Sequence, residues 1–203
     1  MKTCINSEIG KLECVVVHTP GSEVENMTPE NAERALYSDI LNLSIASKEY
    51  AQLAGVLKKV SQVVEVKTLL SEILNNEIHK HELIREICNH EQVPGLEHLL
   101  EQHDANSLAG LLVEGVVLEK NNLTNYLSTD RFLMRPLHNL FFTRDSAMGM
   151  NNKMLIGKMA NPVRERETLI MDAIFNHHPM FETTVLNAQK SKSNLLKNQS
   201  VNL

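Results

Sequence analysis

Two short β-branched runs with an amphipathic helix between them are what most constrains the fold of this chain. Leu12-Glu13-Cys14-Val15-Val16-Val17-His18 is almost wholly apolar and is closed by Thr19-Pro20-Gly21, the pattern of a buried strand ended by a turn. From Ser44 to Lys59, the spacing of Ala46, Tyr50, Leu53, Ala54 and Leu57 lays one apolar stripe along a helix. Val63-Val64-Glu65-Val66-Lys67-Thr68-Leu69 then reads as a second strand. Strand, helix, strand in that order requires a helix packed on a sheet, an α/β unit, and excludes a plain helical bundle. Ahead of the long helix, Thr28-Pro29-Glu30 is a helix start, with Thr28 as N-cap and Pro29 at the first helical position.

The composition then shifts. Residues 70–125 are rich in Leu, Glu, His and Asn, and the apolar spacing predicts several short helices. Ile73, Leu74, Ile78, Leu83, Ile84 and Ile87 line one, Pro94-Gly95 interrupts, and another runs near Ser107 to Glu114. The expected organisation is an opening α/β part over 1–69, a helical subdomain inserted over 70–125, α/β structure resuming over 126–186, and a polar tail over 187–203. In the resumed part, Asn139 to Asp145 is predicted as a strand running into a polar turn. Lys153 to Met159 is predicted as the second strand of a hairpin turned by Met148-Gly149-Met150-Asn151-Asn152. A helix from about Pro162 to His177 is stopped by Pro179, and Glu182 to Leu186 begins a further strand.

Composition narrows the function classes. With 42% hydrophobic residues the chain can fill a core, although no Trp is present and aliphatic side chains must do so. Twenty Lys and Arg against 25 Asp and Glu leave a net charge of -5, which argues against nucleic acid as the main partner. Cys4, Cys14 and Cys88 form no disulfide framework, so free thiols and a reducing, cytoplasmic compartment are expected. No signal peptide opens the chain, and no apolar run approaches the roughly 20 residues of a membrane span. The nine histidines invite a metal reading that chain spacing does not support: no His-Glu-x-x-His occurs, and His79 and His81 point to different sides of their helix. Phosphate-cradling glycine motifs are absent too.

Asn139 to Glu167 is the informative stretch. Arg144 and Asp145 end an apolar run at a turn, and Arg164-Glu165-Arg166-Glu167 opens the later helix. A carboxylate at such a turn can accept paired hydrogen bonds from a planar guanidinium, and a nearby arginine can fork onto a carboxylate. Together they suit a ligand with a guanidinium at one end and a carboxylate at the other. The competing reading is an internal Arg–Asp salt bridge beside a solvated, charged helix start.

Several motifs occur in the order found in bacterial arginine deiminases of the guanidino-modifying superfamily. They are Gly10-Lys11-Leu12, His18-Thr19-Pro20-Gly21, Met27-Thr28-Pro29 and Leu36-Tyr37-Ser38-Asp39-Ile40, followed by Asn139-Leu140-Phe141-Phe142-Thr143-Arg144-Asp145, Arg164-Glu165-Arg166-Glu167 and His178-Pro179-Met180-Phe181. From about Glu8 to Leu186 the chain resembles the N-terminal part of that family. The resemblance implies a propeller of ββαβ modules, with a helical insertion in its first module. It implies hydrolysis of L-arginine to citrulline and ammonia through a cysteine thiolate, with histidine as acid and base and no metal or organic cofactor. By the same resemblance Asp145 is a catalytic carboxylate that grips the guanidinium, Arg164 holds the substrate carboxylate, Asn139 is a pocket amide and Phe142 a pocket wall. Leu36 is placed on a loop covering the site, and Arg166 and Glu167 are structural.

The departures bear on activity. The family's Glu-Gly-Gly-Asp motif, His-x-Asp pair and C-terminal nucleophilic cysteine do not occur in the 203 residues. The expected reading is therefore an arginine deiminase cut short by a frameshift, an early stop or a cloning boundary, and inactive alone. The competing readings are a non-catalytic relative that binds arginine or a protein, and one half of a split enzyme. A partial propeller leaves sheet faces and strand edges open, so self-association, or covering by the tail, is expected.

Overall fold

The computed structural model describes residues 1–25, 40–188 and 190. The predicted helix start at Thr28-Pro29 and the candidate site residue Leu36 lie outside them, as does most of the polar tail.

The opening strand–helix–strand unit forms as the apolar pattern predicts. Strand β1 (Cys14–Val17) pairs in parallel with β2 (Gln62–Glu65), from Cys14 opposite Gln62 to Val17 opposite Glu65. Parallel neighbours need a long crossover. Here it includes the short helix α1 (Ser22–Glu25) and the long helix α2 (Leu43–Val60). The Asn42 side chain caps α2 by accepting from the Ile45 N–H, and Lys58 and Lys59 sit in its last turn, where the helix dipole favours cations. Beneath β1, the His18 ring contacts Glu23 at 3.0 Å and the Gly21 N–H donates to the same carboxylate at 2.7 Å. Burial works against the Glu23 charge, but these partners outweigh it and leave the carboxyl below its ordinary range.

The second predicted strand ends early. At Val66 the chain turns into helix α3 (Val66–Leu74) instead of continuing as a strand to Leu69. Its buried apolar residues, Val66, Leu69, Leu70, Ile73 and Leu74, recur at helical spacing. The alternation of Val64, Glu65, Val66 and Lys67 reads as a strand, but burial of Leu69, Leu70, Ile73 and Leu74 in the common core favours the helix. Helix α4 (Glu77–Glu91) follows, with Asn76 accepting from the Ile78 and His79 N–H groups and left-handed Gln92 closing it. A 3-10 turn at Pro94–Leu96 leads to α5 (Glu97–Glu101), then α6 (Ala105–Glu114), capped by Asp104. Gly115 leaves α6 at φ 87°, where a Cβ would stand 2.6 Å from the Met134 carbonyl oxygen; only glycine fits there. Strand β3 (Val116–Val117) pairs antiparallel with β4 (Phe132–Met134), with α7 (Leu123–Leu127) between them.

After the short helix α8 (Thr143–Ser146), strands β5 (Ala147–Met150) and β6 (Lys153–Ile156) form a hairpin turned at Asn151 with φ 53°. Its second strand is the expected one, but its first strand includes Met148–Met150, expected as the turn, and not Asn139–Asp145. A 3-10 turn (Pro162–Arg164) and helix α9 (Glu165–His177) cross to β7 (Thr184–Asn187), which pairs in parallel with β6. Thus the strands among the described residues lie in three small sheets, β1-β2, β3-β4 and β5-β6-β7, and the architecture is mixed α/β. The first residues of the chain join the third sheet. The Thr3 N–H donates to the Glu182 carbonyl, and Ile5 exchanges hydrogen bonds with Asn151 at 2.7 and 2.9 Å.

One continuous apolar core runs from α3 and α6 through α4 to α9 and β6. Leu70, Ile87, Leu112, Ile156 and Ile174 are wholly enclosed in it. Arg166 crosses this region, 1% exposed, to bond Glu91 at 3.1 Å and the Arg135 carbonyl. It ties α9 to α4, which fits its structural reading. No helix among the described residues is long and apolar enough to cross a membrane.

Candidate functional site

The stretch Asn139 to Asp145 is not the predicted strand. It is a run of tight turns feeding α8: Leu140 N–H to Leu137 O, Phe142 N–H to Asn139 O, and Asp145 N–H to Phe142 O, at 3.2, 3.0 and 3.0 Å. Burial explains the change. Leu137 and Leu140, three apart, are both enclosed, and so are His138 and Asn139 between them. An alternating strand would send two of those four to solvent. The His138 ring instead reaches the Glu23 carbonyl oxygen.

These turns aim the polar side chains in different directions. Arg144 swings outward to Glu8, with Nη2 to Oε1 at 2.8 Å and both side chains well exposed. Asp145 points toward the 3-10 turn ahead of α9, where the Asn161 side chain accepts from the Val163 N–H and fixes the approach of Arg164. Arg164 donates from Nη1 to Asp145 Oδ2 at 2.7 Å. Its other edge binds Glu167, from Nε to Oε1 at 3.1 Å and from Nη2 to Oε2 at 2.9 Å. A longer contact of 3.4 Å reaches the Asn139 carbonyl oxygen. The structure therefore brings Asn139, Asp145 and Arg164 together. Phe142 lies between the first two in the turns, 46% exposed and tilted against Phe141 with centroids 4.3 Å apart.

Exposure is graded across the cluster. Glu167 is 1% exposed, Arg164 13% and Asp145 50%, counted on the side chains. Burial lifts the Glu167 carboxyl above its ordinary range, against the pull of the Arg164 guanidinium. Burial also works against the Arg164 charge, but the two carboxylates outweigh it and hold the guanidinium above its usual value. The direct Arg–Asp bridge was one of two readings open from the sequence, and it forms. The outer arm of the bridge is the solvent-facing one, so the Asp145 carboxylate holds a guanidinium at the surface.

Glu167 is the member that sequence reasoning undervalued. Its signal was the three-residue step from Arg164 on a helix start, which puts the two side chains on one face. Neither Cys14 nor Cys88 is poised as a thiolate. Burial raises the Cys14 thiol, and burial followed by Glu97, Glu91 and Glu101 pushes Cys88 up to about 11. Cys4 is exposed.

Comparison with known proteins bears on the family. The model of the arginine deiminase family matches residues 33–196. The chain is 36% identical over 191 residues to the arginine deiminase of Limosilactobacillus fermentum, covering 87% of this chain and 47% of that protein. It is 32% identical over 197 residues to the arginine deiminase of Borrelia garinii, covering 89% and 48%. With the Oenococcus oeni arginine deiminase the figures are 30% over 209 residues, 95% and 50%. The chain spans about half the length of the curated relatives it matches. The family match takes in the turns that carry Asp145 and the helix start that carries Arg164 and Glu167, and by it this chain belongs to the arginine deiminase family.

Proposed function

We propose that this chain carries the first part of an L-arginine site of an arginine deiminase. The observation behind the reading is the Asp145–Arg164 bridge, in which a half-exposed carboxylate already holds a guanidinium at 2.7 Å. Free arginine presents the same two groups at its ends. It enters by replacing the bridge: its guanidinium takes Asp145, and its carboxylate takes the Arg164 edge that Asp145 gives up. One ion pair becomes two, and opening the exposed arm costs only about 0.5–1 kcal/mol. Asn139 supplies a pocket amide, Phe142 a wall and Leu36 part of the cover. Glu167 keeps Arg164 in place throughout.

In this reading the described α/β parts belong to a partial propeller of ββαβ modules. Residues 1–69 open the first module, 70–125 are its helical insertion, 126–186 continue the propeller, and 187–203 form the tail. The reaction is hydrolysis of arginine to citrulline and ammonia by covalent cysteine catalysis in the cytoplasm, with no metal or organic cofactor. The 203 residues contain no Glu-Gly-Gly-Asp or His-x-Asp element, and neither Cys14 nor Cys88 is activated, so the chain alone does not turn arginine over. Ile45, Leu53, Val56 and Val60 are exposed along one side of α2, which supports self-association through an open face.

Calorimetry with L-arginine and a citrulline assay test the reading. Binding in the millimolar range, lost in Asp145→Ala and without citrulline release, is expected. Citrulline formation by the homogeneous chain would overturn the inactivity, and binding unchanged in Asp145→Ala would overturn the site.

A further inference from the structure

Where the N-terminal end of α4 meets the C-terminal end of α9, three metal-ligating side chains converge outside the arginine cluster. They are His79 and Glu82 from α4 and His177, the last residue of α9, whose ligand atoms all lie within 4.8 Å of one another. The two imidazoles stack with centroids 4.0 Å apart and planes 21° from parallel. His79 Nδ1 is shielded from solvent and has no hydrogen-bond partner. A shielded ring nitrogen without a partner is costly unless something else satisfies it.

We propose that His79, Glu82 and His177 form a binding site for a late first-row divalent cation such as Zn2+, which joins α4 to α9. The donor set decides the class. Two imidazole nitrogens and one carboxylate oxygen suit zinc, nickel, cobalt or copper, whereas magnesium and calcium prefer oxygen throughout. Distance allows it as well. Zinc–nitrogen bonds of about 2.0–2.1 Å in a tetrahedron place two ligand atoms roughly 3.3 Å apart. The cluster therefore closes on an ion through side-chain rotations of about 1.5 Å or less. Three protein ligands leave a fourth position for water. Chain spacing could not reveal this site, because His177 arrives from a different helix far along the sequence.

The test is zinc titration of the metal-stripped 203-residue chain by calorimetry, with cobalt absorption as a second readout. One equivalent of Zn2+ is expected to bind, and visible cobalt bands are expected at the same stoichiometry. At a hundredfold excess over Kd the Tm is expected to rise by about 5–10 °C. His177→Gln and Glu82→Gln change exposed residues and should each weaken binding by about tenfold or more. His81→Gln, which removes a neighbouring surface histidine paired with Glu101, should leave it unchanged. The proposal is overturned if no saturable binding occurs, or if binding survives His177→Gln and is lost in His81→Gln or Cys4→Ser. Both readouts are independent of arginine binding, so failure here leaves the arginine reading untouched.

Discussion

Replacing Glu167 with alanine and, separately, Asp145 with alanine separates the two arms of the Arg164 cluster. Glu167 is enclosed and makes contacts of 2.9 and 3.1 Å with two nitrogens of Arg164. Deleting it leaves a guanidinium that is 13% exposed with the outer partner Asp145 and the long contact to the Asn139 carbonyl oxygen. Breaking a buried pair from one side costs about 3–5 kcal/mol; because Asp145 remains, the lower end, about 3 kcal/mol, applies. Asp145 is half exposed, and its arm is worth about 0.5–1 kcal/mol. For a chain of this size each kcal/mol moves Tm by about 2–4 °C. Glu167→Ala should therefore lower Tm by about 6–12 °C, and Asp145→Ala by about 1–4 °C. Thermal unfolding followed by circular dichroism reads both. Equal losses would refute the reasoning, because Asp145 would then be a structural member of a buried triad and not the arm that opens for a ligand. The pH dependence carries a second check. The Glu167 carboxyl sits above its unfolded value, so its favourable contribution is complete below the ordinary carboxylate range and is lost as pH rises through the raised folded value. Glu167→Gln should remove that slope.

Two further outcomes follow from buried groups. The His138 imidazole is lowered by burial, and by Arg166, against the Glu23 carbonyl and carboxylate. Its contribution is present above the ordinary histidine value and lost as pH falls through the lowered folded one. Urea midpoints measured from pH 7.5 down to about 5 should fall less steeply in His138→Gln than in the parent; identical slopes would remove His138 as the source. Among the thiols, native titration with an aromatic disulfide at about pH 8 should label Cys4 quickly, Cys14 more slowly, and Cys88 only after unfolding. Fast labelling of Cys88 in the folded protein would contradict its enclosure.

What the sequence disclosed, and what it hid, has a physical pattern. Strand β1, helix α2, strand β6 and helix α9 were legible because each combines a clear apolar pattern with a local stop or turn, such as Pro20-Gly21 after β1 or Pro179 beyond α9. Two stretches expected as strands were misread, and the single helix expected through Ile73, Leu74, Ile78 and Ile87 is two, parted at Asn75-Asn76. Val63 to Leu69 changes from strand to helix at Val66, and Leu140-Phe141-Phe142 folds as turns because Leu137 and Leu140 are buried together. In both cases burial against distant partners chose the conformation. Asp145, Arg164 and Asn139 were found as a set through motif order. The role of Glu167 had a local signal only in the three-residue step from Arg164, whereas the meeting of His79 with His177 depends on how helices dock, which no local pattern encodes.

The hydrogen bonds that fasten Thr3 to Glu182 and Ile5 to Asn151 set an order of events during synthesis. Residues 3–5 emerge from the ribosome long before Glu182, their last partner in the sequence. At about 5–20 residues per second, the nascent N-terminal segment waits roughly 10–35 s for Glu182. The β1-β2 unit, whose partners are closer in sequence, can close well before then. Of the three sheets among the described residues, the third is thus the last to be sealed, and Thr3 and Ile5 help to seal it.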